Sequence, residues 1–176
     1  MTENRNPDMA ATPHRAKIFW PLFIGWVVAD FVSKRIVESR LIVHMPNDVI
    51  GDWVRFTLNY NAGAAMNISL GGASRIVFSV LAVVMIGVII GMYLKTSEKE
   101  TVQPLALALI AGGAMGNLLD RLRSARGVVD FIDVGIGASR FWTFNVADAG
   151  VTCGAILLVL VLWSTPAGKE RSGVNG

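Results

Sequence analysis

The hydrophobic residues of this chain are concentrated in four long runs separated by polar segments, at residues 18–32, 76–94, 105–119 and 146–163. The second run contains no charged residue. At about 1.5 Å per helical residue, it nearly spans a hydrocarbon core that is about 30 Å thick. The first and third runs each need a further, polar-tipped turn to cross. We therefore predict four transmembrane helices, at about residues 17–37, 74–95, 102–122 and 146–164.

The segments between the helices carry a second pattern. Residues 54–60 alternate between apolar and polar side chains, which is typical of a half-buried strand. Residues 127–134 and 140–144 are rich in β-branched and aromatic residues, with residues 135–137 as a turn between them. We predict a small β-sheet there, on one side of the membrane.

These elements form a single membrane domain over residues 15–165. Its loop and strand regions are residues 38–73 and 123–145. The polar, proline-containing ends at residues 1–14 and 166–176 are predicted to be a disordered leader and a disordered tail. The fold class is an all-α membrane protein with four transmembrane helices and a small extracytoplasmic β-sheet.

Composition agrees with a membrane protein, because 53% hydrophobic residues and a mean hydropathy of +0.52 are too apolar for an ordinary soluble domain of 176 residues. The single cysteine, Cys153, excludes an internal disulfide. No His/Cys cluster has metal-ligand spacing, and no basic stripe is interleaved with aromatics. We therefore expect no metal, no organic cofactor and no nucleic-acid partner.

Three helices contain glycines four residues apart, which permits close helix approach. The pairs are Gly87 and Gly91, Gly112 and Gly116, and Gly150 and Gly154. Orientation is less clear, because seven basic residues lie on the side of the termini and nine on the other side. Arg15 and Lys17, which precede the first helix, favour cytoplasmic termini because the first helix usually dominates.

Four carboxylates lie beside the ends of the apolar runs, at Asp30, Asp120, Asp130 and Asp148. If the helices alternate in direction, all four share one side of the membrane. A charged carboxylate at the centre of a membrane helix costs at least about 2.5 kcal/mol, so its presence indicates a function. Convergence of these carboxylates beside the membrane suggests acid/base chemistry.

Each cluster also has a structural interpretation. Asp30 and Lys34 lie four residues apart and can form a local ion pair. Asn117, Asp120 and Arg121 can form an interfacial polar cap with a snorkelling arginine.

The structural alternative is strongest for Asp148. Asn145 can be the N-cap of the fourth helix, which would place Asp148 at N3 of a capping box. Asp130, by contrast, stands among apolar strand residues, which raise the pKa of a carboxyl group. Asp130 and Asp148 could therefore share one proton, with one carboxyl activating water and the other donating to a substrate carbonyl.

Four segments resemble the ordered motifs of bacterial lipoprotein signal peptidases, the type II signal peptidases. They are Asn-Ala-Gly-Ala-Ala-Met at residues 61–66, Gly-Asn-Leu-Leu-Asp-Arg at 116–121, Val-Val-Asp-Phe-Ile at 128–132 and Phe-Asn-Val-Ala-Asp at 144–148. Asp30 with Lys34 fits that family's first motif. The resemblance departs at Met66, where the family usually has phenylalanine, but methionine keeps the apolar bulk.

The resemblance implies an aspartic endopeptidase of the bacterial inner membrane, with its active site on the extracytoplasmic side. Such an enzyme cleaves prolipoproteins before a diacylglyceryl-modified cysteine, in contact with membrane lipids; we expect a monomer. Carried over by position, Asp130 and Asp148 would be the catalytic residues. The residues that would line or support the site are Asn61, Gly63, Asn117, Arg121, Asn145, Asp30, Lys34 and Asp120.

Two other function classes fit parts of the pattern. A small proton-coupled transporter would use Asp30, Asp120 and Asp148 as a relay. However, the second helix has no charged residue in its apolar run, and the halves show no inverted repeat. A membrane scaffold built on the glycine pairs would leave the polar motifs unexplained.

Overall fold

The computed structural model describes residues 12–63 and 73–164, which form four helices and one four-stranded sheet. The elements in chain order are α1 (His14–Arg40), β1 (Pro46–Ile50), β2 (Val54–Asn61), α2 (Ser74–Lys95), α3 (Val102–Arg123), β3 (Val128–Ile136), β4 (Ser139–Arg140) and α4 (Val146–Ser164). Within the described part, all four helices are long and apolar enough to cross a membrane. The predicted fold class of four membrane-spanning helices with a small β-sheet is confirmed.

The ends of the chain are only partly described. Most of the predicted leader and all of the predicted tail lie outside the described residues. Helix α1 begins at His14, the last residue assigned to the leader, and ends at Arg40.

Helix α3 is the centre of the bundle and packs against each of the other three helices. Its composition explains this position, because alanines and glycines occupy seven of the eleven residues from 106 to 116. Small side chains let neighbouring backbones approach closely. Leu107 and Ile110 of α3 form an apolar core with Phe19 of α1 and Ile89 and Tyr93 of α2.

Two of the three predicted glycine pairs lie at helix contacts. A methyl group added to Gly154 would lie 2.7 Å from the carbonyl oxygen of Ala106, and one added to Gly112 would lie 3.1 Å from the Cβ of Trp26. The prediction is wrong for Gly87 and Gly91, because added methyl groups there meet none of the described residues within 4 Å.

The four strands are antiparallel in the order β1-β2-β3-β4. Strand β2 matches the alternating segment, and β3 matches the first of the two β-rich segments. The strand predicted over residues 140–144 is wrong, because only Arg140 belongs to β4. Phe144 instead forms an isolated bridge to Ile132 immediately before α4 begins. The turn lies at residues 137–138, where Gly137 has a φ of +55°.

Strand β1 was not predicted from the sequence. Every residue of this edge strand is exposed, so it has no alternation of buried and exposed positions. Within the described part of the chain, its one pairing partner is β2.

Helix α1 continues ten residues past Asp30 and ends at Arg40, three residues beyond its predicted end at about residue 37. The extension carries Val37, which packs beneath the sheet against Leu58, Val129 and Phe131. The sheet therefore lies over the end of the bundle that holds Asp30 and Lys34.

Candidate active site

The start of α4 is held by a capping box. The backbone N–H of Asp148 donates to Oδ1 of Asn145 at 2.9 Å, and the backbone N–H of Asn145 donates to Oδ2 of Asp148 at 3.1 Å. These reciprocal bonds satisfy donors that would otherwise be free at the helix N-terminus. The predicted capping box is therefore confirmed.

The same residues connect two carboxylates. The side-chain amide of Asn145, which is 0% exposed, donates to Oδ1 of Asp130 at 2.7 Å. The other oxygen of Asp148, Oδ1, accepts from Nδ2 of Asn117 at 2.8 Å. Asp148 is thus both a capping residue and a member of a polar cluster that contains Asp130.

Asp130 lies in β3 and is 4% exposed. Its Oδ2 accepts from Nδ2 of Asn61, at the end of β2, at 3.1 Å. Burial raises the pKa of Asp130 to about 7, and the negative charge of Asp148 adds to the rise, while hydrogen bonds from Asn61 and Asn145 oppose it. Asp130 can therefore exchange a proton near neutral pH.

Asn61 is itself held in place by a turn. Its Oδ1 accepts from the backbone N–H of Gly63 at 3.0 Å. Arg121 donates to the carbonyl oxygens of Gly63 at 3.4 Å and Asn117 at 3.2 Å. The guanidinium group therefore joins the end of α3 to the loop after β2. The rest of this motif, including Met66, lies outside the described residues.

A buried lysine lies beneath this cluster. The ammonium group of Lys34, which is 0% exposed, lies 2.8 Å from Asp30, 3.0 Å from Asp120 and 3.0 Å from Oδ1 of Asn117. Asp120 also accepts from the backbone N–H of Val129 at 3.1 Å. The predicted local ion pair of Asp30 with Lys34 exists, as part of a network that links α1, α3 and β3.

Asp30 also contacts α4 directly, since its Oδ1 accepts from the backbone N–H of Ala147 at 2.8 Å. One helical turn earlier in α1, the indole N–H of Trp26 donates to the carbonyl oxygen of Val146 at 3.0 Å. Sequence reasoning missed Trp26. The available signal was its spacing of four residues from Asp30, which places both side chains on one face of α1.

All ten residues predicted for the site lie at or beside this junction of α1, α3, α4, β2 and β3. Among residues 12–63 and 73–164, no group of three His, Cys, Asp or Glu side chains could hold a metal ion. What the arrangement offers chemically is two nearby carboxyl groups oriented by asparagine side chains.

Comparison with known proteins identifies a family. A family model described as signal peptidase (SPase) II matches residues 22–164. The lipoprotein signal peptidase of Coxiella burnetii is 36% identical over 160 residues, which cover 88% of this chain and 97% of that protein. The lipoprotein signal peptidase of Mycobacterium tuberculosis is 37% identical over 164 residues, which cover 88% of this chain and 75% of that protein.

A solved structure supports the same relationship. A bacterial membrane enzyme whose structure was determined by the in meso method matches with a TM-score of 0.76 and 29% identity, over 88% of this chain and 93% of that one. The match to the family model covers well over half of the chain. The chain therefore belongs to the signal peptidase II family and is a membrane peptidase with four candidate spans.

Proposed function

We propose that this peptidase is an aspartic endopeptidase that removes signal peptides from prolipoproteins by cleaving before a diacylglyceryl-modified cysteine. Its catalytic pair is Asp130 and Asp148. The observation that carries the proposal is Asn145, whose side chain bonds Asp130 through Nδ2 and the backbone of Asp148 through Oδ1. The backbone N–H of Asn145 also donates to the carboxylate of Asp148, so this one residue links the two carboxyl groups.

The two carboxyl groups occupy settings that suit different roles. Asp148 lies in the first turn of α4, where the helix dipole favours a negative charge, and both of its oxygens accept N–H hydrogen bonds. Asp130 is buried, and its pKa of about 7 keeps a proton available near neutral pH. The ionised Asp148 would take a proton from water as the water attacks the scissile carbonyl carbon, and the protonated Asp130 would donate to the carbonyl oxygen.

The other polar residues hold this pair in position. Asn61 donates to Asp130, and Asn117 donates to Asp148. Arg121 fixes the backbone of Gly63 close to Asn61. Groups that are already oriented before the reaction need not be reorganised in the transition state, which favours catalysis. Two carboxyl groups and a water are sufficient for peptide hydrolysis, so the mechanism requires no metal or organic cofactor.

The proposed location follows from the substrate and from the first helix. A lipidated substrate remains in the bilayer, so the site must lie at the membrane surface and still admit water. Arg15 and Lys17 favour cytoplasmic termini, which would put the carboxylates on the extracytoplasmic side of the bacterial inner membrane. Family membership favours peptide hydrolysis over the transporter alternative.

Turnover of a lipidated prolipoprotein by the purified protein tests the proposal. Asp130→Asn and Asp148→Asn should each abolish cleavage while the protein stays folded in detergent. Because the two groups act as one unit, the double variant should be no worse than either single variant. Asp133→Asn is the matched control, since Asp133 is a second buried aspartate of β3 that pairs with Arg140 instead.

The same assay separates catalysis from capping. If Asp148→Asn keeps near-normal cleavage and only lowers the melting temperature, then Asp148 is a cap and the proposed catalytic pair is wrong. Loss of cleavage in Asp133→Asn at an unchanged melting temperature would also contradict the assignment. The loss of activity in Asp130→Asn could then reflect the removal of any buried carboxylate from β3 and would not identify Asp130 as catalytic.

A further inference from the structure

Trp26 and Asp30 connect α1 to α3 and α4, the two helices that carry site residues. They lie four residues apart on one face of α1. On α3 they face glycines with the same spacing: Trp26 lies against Gly112, and Asp30 lies against Gly116. A methyl group added to Gly116 would lie 3.0 Å from Cγ of Asp30, so only glycine permits this approach without displacement.

The indole ring also lies directly on α4. A methyl group added to Gly150 would collide with Nε1 of Trp26 and would lie 2.7 Å from its Cε2 and 2.9 Å from its Cδ1. These three atoms belong to the five-membered part of the indole. The close approach brings the indole N–H within 3.0 Å of the carbonyl oxygen of Val146.

Trp26 and Asp30 therefore hold two consecutive residues of α4. Trp26 donates to the carbonyl of Val146, and Asp30 accepts from the N–H of Ala147. Asp148 is the next residue. Among the described residues, Asn117 of α3 is the one residue on another helix that bonds the carboxylate of Asp148. A rotation or axial shift of this turn would move the carboxylate away from Asn117 and break that bond.

We propose that Trp26 is a positioning residue, which sets the rotation and depth of the first turn of α4 and thereby the carboxylate of Asp148. The proposal rests on the proposed function of Asp148. Trp26 acts through the backbone and does not touch the reacting atoms. Its loss should therefore lower kcat and leave KM nearly unchanged, whereas a general loss of folded protein would change the amount of enzyme but not kcat per folded molecule.

The test compares Trp26→Phe with Trp20→Phe in the full-length protein, using a lipidated prolipoprotein. Phenylalanine keeps an aromatic ring at position 26 but removes the N–H donor. Loss of one hydrogen bond predicts a decrease in kcat of about three- to tenfold, with KM within about twofold. Trp20 lies on the same helix but is 45% exposed, so Trp20→Phe should leave both constants unchanged.

A second pair of variants tests the contact with Gly150. Gly150→Ala should lower kcat in the presence of Trp26, because the added methyl group displaces the indole. In a Trp26→Ala background the ring that Gly150 faces is absent, so adding Gly150→Ala should cause little further loss. This non-additivity is the signature of two residues in direct contact.

The outcomes separate this proposal from the proposed function. An inactive wild-type protein, or an active Asp148→Asn variant, contradicts the proposed function. With an active wild type, an unchanged kcat in Trp26→Phe, a change confined to KM, or an equal decrease in Trp20→Phe overturns the role of Trp26. Additive losses in Trp26→Ala and Gly150→Ala overturn it as well.

Discussion

Lys34 offers the sharpest test of how the site is built, because it is a fully buried charge that contacts two carboxylates and an amide. Lys34→Met retains a long apolar side chain and removes the ammonium group. Removing one partner of a buried ion pair leaves the other charge uncompensated, which costs about 3–5 kcal/mol. We expect Lys34→Met to lower the free energy of unfolding by that amount.

The structure assigns most of this loss to Asp30. Asp120 keeps Arg35 at 3.3 Å and the N–H of Val129 at 3.1 Å after the ammonium group is removed. Asp30 keeps only the N–H of Ala147 among the described residues, and that bond reaches one of its two oxygens. Neutralising Asp30 should therefore relieve the penalty. We expect Asp30→Asn combined with Lys34→Met to be about 1–3 kcal/mol more stable than Lys34→Met alone.

Unfolding in mixed micelles, followed by circular dichroism as the denaturing detergent is titrated, measures these differences. Lys17→Met is the control, because Lys17 is an exposed lysine on the same helix and should change stability by less than about 0.5 kcal/mol. A loss below about 1 kcal/mol in Lys34→Met would refute the assignment of a buried, compensating charge. A double variant no more stable than Lys34→Met would refute the assignment to Asp30.

Three further predictions concern pH, topology and substrate choice. Folding raises the pKa of Asp130 from 3.8 to about 7, so the folded protein binds a proton that the unfolded chain releases between these values. The free energy of unfolding should therefore fall as the pH rises from about 4 to about 7, and Asp130→Asn should reduce this fall, as measured by unfolding at several pH values. Cleavage should decline at both low and high pH, because one shared proton is required. In a Cys153→Ala background, Lys99→Cys should be protected from an impermeant thiol reagent added outside intact cells, and its labelling would refute cytoplasmic termini. A precursor without the diacylglyceryl group should be cleaved very poorly, since acyl-chain binding helps to position the scissile bond, and equal rates would contradict this.

The helices and the local contacts of the candidate site were predictable because both depend on short spacings in the sequence. The length of an apolar run determines whether a helix can cross the membrane. The spacing of Asp30 from Lys34 predicted their ion pair, and the spacing of Asn145 from Asp148 predicted the capping box. The ordered motifs then placed the residues from separate segments in one site.

Features that depend on distant partners were not predictable. Strand β1 has no buried face, so only its pairing with β2 defines it. Gly87 and Gly91 have the same spacing as Gly150 and Gly154, yet only the second pair lies against another helix. Helix α1 runs past its predicted end at about residue 37, where Val37 packs beneath the sheet, and local hydrophobicity does not contain that contact.

The capping and catalytic interpretations of Asp148 are two consequences of one geometry. A carboxylate at N3 whose Oδ2 accepts the N–H of Asn145 has its rotamer fixed, and its Oδ1 is then directed to Asn117. Asn145 is the shared element, because its backbone N–H donates to the carboxylate of Asp148 while its side-chain amide donates to Asp130. A carboxylate on an uncapped helix end would sample several rotamers and lose this alignment. In the proposed mechanism the cap would therefore favour catalysis. An unchanged melting temperature in Asp148→Asn would be compatible with complete loss of turnover, since asparagine retains an oxygen acceptor at N3 but cannot take a proton from water.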